Sequence, residues 1–188
     1  IKEQIFLLIP LILYSIYKNG YLLYQKDLIS FVSIFKIIFL ILISVVIKIV
    51  IDYIKHKKII LDYNLLYVIL IALCMPYNIS ILIYTVLFFI LYILSIYLDK
   101  YIKINKVCLI SLIIILINGI IFDFSYLNPL EKNYSFNFTV IDLLMGRSVG
   151  SIGTTSAIFV IVAYLYLLNN FYYKKNIPLA INATYLIL

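Results

Sequence analysis

From Leu28 to Ile54 the chain runs through isoleucine, leucine, valine and phenylalanine, with only Lys36, Lys48 and Asp52 carrying charge. A run this long and this apolar has few places to go, and a membrane helix, which needs about 20 apolar residues to cross, is the first of them. Composition settles the choice. Of the 188 residues, 66% are hydrophobic and 12% charged, where soluble proteins carry about 25% charged residues. Mean hydropathy is +1.16. A soluble domain of this length has no interior large enough to hide that much apolar surface. The sequence therefore predicts an all-α, polytopic transmembrane protein.

Six full or partial spans and the start of a seventh follow from the apolar runs. They cover Ile5 to Tyr17, Leu28 to Ile54, Tyr63 to Met75, Ile79 to Leu98, Val107 to Phe122, Thr155 to Phe171, and Leu179 onward. The chain begins with Ile1 and ends inside an apolar run, so it is expected to be a fragment of a single transmembrane domain spanning 1–188. The third run stops at Met75-Pro76-Tyr77-Asn78, a turn or a broken helix. Interrupted spans often mark binding sites in membrane proteins, although a tight loop has the same signature. Alternate loops carry Lys55, Lys57 and Lys58, then Lys100, Lys103 and Lys106, then Lys174 and Lys175, with Lys2 at the start; the loops between hold Lys18, Lys26, Lys132 and Arg147. Lysine bias of this kind places the N-terminus in the cytoplasm and the long segment 123–153, between spans five and six, on the outer side. That segment is rich in phenylalanine and leucine, so it is expected to pack back on the protein as a re-entrant or interfacial piece.

The net charge of +7 is spread over loops between apolar runs, which excludes a nucleic-acid surface. Cys74 and Cys108 lack metal-ligand spacing, His56 sits alone in a lysine run, and no nucleophile, base and acid can be assembled. Lys48 and Asp52, four apart, share a helical face and can pair near the cytoplasmic end. The densest polar signal is Gly146 to Ala157, where glycines, serines and threonines precede the apolar run Ile158 to Leu168. Backbone N–H groups there suit an anion at a helix start. Small residues equally suit close helix packing.

The same stretch, Asp142-Leu143-Leu144-Met145-Gly146 through Gly150-Ser151-Ile152-Gly153-Thr154-Thr155-Ser156-Ala157, resembles a motif of the RnfD/NqrB family, membrane subunits of ion-translocating electron-transport complexes. Ile177-Pro178-Leu179, Leu8-Ile9-Pro10 with Tyr17 and Gly20, Asp52-Tyr53, and Ala72-Leu73-Cys74-Met75-Pro76 resemble further landmarks of that family in the same order. The resemblance implies a bacterial inner-membrane flavoprotein subunit, FMN as cofactor, and other membrane subunits of the complex as partners. Of the family's FMN-attachment motif, Asp123, Pro129 and Leu130 fit; Asn128 stands at the threonine that carries the flavin phosphate, and an amide cannot form that ester. Thr154 stands where the family has glutamate. Gly150, Ser151, Gly153, Thr154 and Thr155 are the residues expected to touch the flavin, with Asn128 marking the lost attachment point. The competing reading is a flavin-free channel, carrier or assembly scaffold that keeps the fold.

Overall fold

Every regular element among the described residues is a helix, and none is a strand. The computed structural model describes residues 2–57, 62–99, 101, 105–121, 139–146, 150–153 and 156–168. Helix α1 (Lys2–Ser15) continues through a π-helical segment (Ile16–Tyr21) into the short α2 (Leu22–Gln25). A 3-10 turn (Phe31–Phe35) opens α3 (Lys36–His56), followed by α4 (Tyr63–Leu73), α5 (Ile81–Leu98), α6 (Lys106–Ile121), α7 (Val140–Met145) and α8 (Ala157–Leu168).

Three of these helical stretches, Glu3–Gln25, Phe31–Lys55 and Ile81–Leu98, are long and apolar enough to cross a membrane. Tyr63–Leu73, Lys106–Ile121 and Ala157–Leu168 are apolar but shorter. The outside of the molecule is apolar as well: Phe6, Ile54, Leu82 and Ile120 each expose more than two thirds of their surface, and α8 buries none of its residues. Such an exterior matches lipid rather than water. Of the sequence-predicted spans, the last, from Leu179, lies outside the described residues, as do 122–138 of the long connecting segment.

The first span differs from the sequence reading. Lys18, Asn19 and Gly20 look like a loop after Tyr17, yet the helix runs on through them in π form and buries all three. The extra residue of a π turn swings these side chains to the inside without breaking the backbone ladder. Lys18 is therefore an interior residue and not part of an outer loop.

Helix α4 is the centre of the fold. It packs against α1, α3 and α6, while α5 lies against α3 and α6, and α8 against α1 and α7. Val68, Ile69, Ile71, Ala72 and Leu73 are all buried. Between lipid-covered helices there is little hydrophobic driving force, so close packing and hydrogen bonds hold them together. Two such fastenings link α3 to its neighbours. Ser44 Oγ and Tyr84 Oη are hydrogen-bonded at 2.5 Å, joining α3 to α5. Lys48 Nζ, only 1% exposed, lies 2.6 Å from Asp52 and 3.0 Å from Asp62 at the start of α4. Below Tyr84, the rings of Phe88 and Tyr92 continue a buried stack with centroids 5.6 Å apart.

Candidate functional site

Eleven residues make α4 about 16 Å long, roughly half of a bilayer's hydrocarbon thickness. It stops at Leu73 because Pro76 cannot supply an N–H and disfavours helix in the residue before it. The chain then runs without helix to Ser80, with Met75, Pro76, Tyr77 and Ile79 buried. Irregular backbone inside an apolar body must find partners for its polar groups, and here those partners come from two other parts of the chain.

The glycine-serine turn supplies the first two. Gly153 N–H donates to Leu73 O at 2.9 Å, and Ile152 N–H donates to Met75 O at 2.9 Å. The π segment holds that turn in place: Asn19 Nδ2 donates to Ile152 O at 2.9 Å. The start of α3 supplies the last, with Lys36 Nζ donating to Tyr77 O at 2.6 Å and lying 5.0 Å from the centre of the Tyr77 ring. Tyr77 Oη donates in turn to Ser33 O at 2.9 Å. The break after α4 and the glycine-rich turn before α8, far apart in sequence, are thus one structure.

Gly153 is the contact that permits it. A Cβ there would sit 2.8 Å from Leu73 Cβ, so no larger residue fits against α4. Gly146 plays a similar part at the end of α7: its φ of +74° suits glycine, and a Cβ would lie 2.7 Å from Ser156 Cα. Asp142, in the motif's first half, closes the other end of α7. Its carboxylate accepts from Thr139 N at 3.2 Å and Thr139 Oγ1 at 2.6 Å, while Asp142 N–H donates to Thr139 Oγ1 at 3.3 Å, a reciprocal helix cap.

Beside this junction lies a cavity of about 390 Å³ lined by Tyr14, Tyr17, Lys18, Met145, Ser156 and Phe159, among others. Tyr14 Oη donates to Met145 O, and the Tyr14 and Phe159 rings stand 5.4 Å apart. Its size falls in the range of small-molecule and cofactor pockets, and it combines aromatic walls with one cationic side chain.

Of the sequence-predicted site residues, Gly153 comes to this junction, Gly150 and Ser151 lie just before it in the same turn, and Asn128, Thr154 and Thr155 lie outside the described residues. Lys18, Asn19, Lys36 and Tyr14 were not among them. Lys18 and Asn19 carry a loop-like pattern in the sequence, and nothing in their spacing announces a π turn. The N–H groups of Ile152 and Gly153 are occupied by carbonyls of the α4 break, so those two do not face an anion. Among the described residues no group of histidine, cysteine or carboxylate side chains is placed to hold a metal ion. No protein-family model matches the chain, and no curated protein and no solved structure matches it significantly.

Proposed function

We propose that this chain is an RnfD/NqrB-like membrane subunit of an ion-translocating electron-transport complex, carrying electrons through a flavin and coupling them to Na⁺ or H⁺ movement. In that reading it is a multi-pass protein of the bacterial inner membrane with six to seven spans and a cytoplasmic N-terminus. Its partners are other membrane subunits, and it turns over no substrate alone. The observation that carries the reading is the pairing of Gly153 and Ile152 with Leu73 and Met75, because it joins the most family-like motif to the interrupted span. Membrane transporters commonly place substrate and ion sites where discontinuous helices meet inside the apolar layer.

The aromatic and cationic lining of the cavity next to the junction supports a flavin there. Tyr14, Tyr17 and Phe159 offer aromatic faces to a planar ring, and Lys18 offers a cation to an anionic group. Bound there, the isoalloxazine supplies electron transfer, while these side chains orient it and keep water away. Ser156, just before α8, brings a hydroxyl of the motif to the cavity wall. Asn128 offers no hydroxyl, so the flavin is held without the phosphoester.

The test is flavin content of the chain purified with its membrane partners. Acid extraction should release FMN, in-gel fluorescence of the denatured chain should be dark, and Lys18→Gln should lower the extracted flavin. A complex free of flavin by both measurements sinks the reading. A flavin adduct mapped to any residue from Asp123 to Thr139 would instead overturn the noncovalent part of it.

One observation favours the second reading, a flavin-free channel, carrier or scaffold. Gly153 is filled against by Leu73 and its N–H is spent within the fold, which is what a packed connector requires. An assembled complex that contains no flavin would select that reading.

A further inference from the structure

Helices α3 and α5 run in the same direction, since Ser44 of α3 meets Tyr84 in the first turn of α5 while Ile51 and Ile54, farther along α3, line a groove with Phe89 to Tyr97, farther along α5. Residues toward the C-terminal ends of both line a single groove. Ile51, Ile54 and Lys55 of α3 face Phe89, Ile93, Ile96 and Tyr97 of α5 across an open groove of about 350 Å³. Its floor and walls are aliphatic and aromatic, and its only charged lining residue, Lys55, stands at the mouth. We propose that this groove holds one acyl chain of an anionic phospholipid, with the lipid phosphate against Lys55.

Three features fit that occupant. From Phe89 to Tyr97 the groove extends about 12 Å along α5, close to the roughly 15 Å depth of one leaflet's hydrocarbon. Lys55 and Tyr97, both exposed, sit at the end of the groove where the helices finish, at the height of a headgroup. Tyrosine is favoured at that level because its ring sits in the apolar layer and its hydroxyl reaches the polar one. Charge selects the lipid class. Of the other cations described at this end of the bundle, Lys48 is engaged with Asp52 and Asp62 and Lys106 with Asp99 and Asn64, while Lys57 does not line the groove. Lys55 pairs with no carboxylate among the described residues and faces a wall of isoleucine. A phosphate beside an apolar tail complements both halves of the site, as basic clefts between membrane helices do.

The full chain, purified in detergent and analysed by native mass spectrometry, provides the test, with phosphatidylglycerol and phosphatidylcholine as probes. Phosphatidylglycerol should be retained in preference to phosphatidylcholine, one molecule per chain. Lys55→Gln should lower that retention about fivefold, the effect of one basic side chain at an anionic surface. Ile93→Trp, which fills the groove and leaves Lys55 in place, should also lower it, with helix content by circular dichroism unchanged. Lys57→Gln, outside the groove, should leave retention as it was. Equal retention of the two lipids overturns the proposal, and so does a loss with Lys57→Gln as large as with Lys55→Gln. Capture of a second polypeptide in place of lipid by a photo-crosslinker at position 93 overturns it as well.

Discussion

Gly153 shows how much can hang on a missing methyl group. Its flat edge lets the turn before α8 lie directly on Leu73, and only that approach brings its N–H to the Leu73 carbonyl. Gly153→Ala should therefore destabilise the folded chain by about 1–3 kcal/mol, the usual cost of forcing a small group into a filled site. Leu73→Ala should recover part of that loss, because it empties the colliding volume. Thermal unfolding of both variants and the pair in detergent checks this, and simple additivity of the two effects would show that they do not touch. Gly153→Leu should abolish stable assembly altogether.

At the scale of elements, α4 is a half-length helix held at both ends by polar bonds. One end is fixed to the glycine turn. The other is fixed by Lys48, whose ammonium reaches back from α3 to Asp62. Replacing Lys48 with alanine leaves two carboxylates without their cation and should cost about 3 kcal/mol, the low end for a broken buried pair because Asp62 is partly solvated. Asp62 also makes the attachment pH-dependent. Burial pushes its carboxyl up, but the hydrogen bond and charge of Lys48 outweigh this and hold it below the usual carboxylate range. A depressed carboxyl stabilises the fold fully above its unfolded value and loses that contribution as pH falls through the folded one. The unfolding temperature should thus drop as pH falls below the ordinary carboxylate range, about pH 4, and Asp62→Asn should flatten that part of the curve. An unchanged slope in Asp62→Asn would mean that other carboxylates carry the acid response.

For the whole molecule, the directions of the helices set which ends share a side. The first span runs from Glu3 to Gln25 and the second returns from Phe31 to Lys55, so Gln25 and Lys57 lie at opposite ends. With Cys74 and Cys108 replaced by serine, a cysteine at position 25 should react with an impermeant thiol reagent in intact cells. A cysteine at position 57 should react only after the membrane is opened, because the lysine-rich end is expected to face the cytoplasm. The reverse pattern would invert the molecule in the membrane.

The apolar runs determined by themselves that the chain is helical, where most helices lie, and that Lys48 and Asp52 share a face, because hydropathy and a four-residue spacing are local properties. Pro76 likewise announced the end of α4, since it removes a backbone donor wherever it stands. The tertiary structure decided the rest. Lys18 and Asn19 look like loop residues, and only packing against the 3-10 turn and the turn before α8 makes a buried π segment the better place for them. Nothing near Leu73 or Met75 in the sequence names Gly153 and Ile152 as the donors to their carbonyls. Those pairings depend on which helix ends meet in space, and they exist because buried carbonyls at an interrupted helix need donors that the local chain cannot provide.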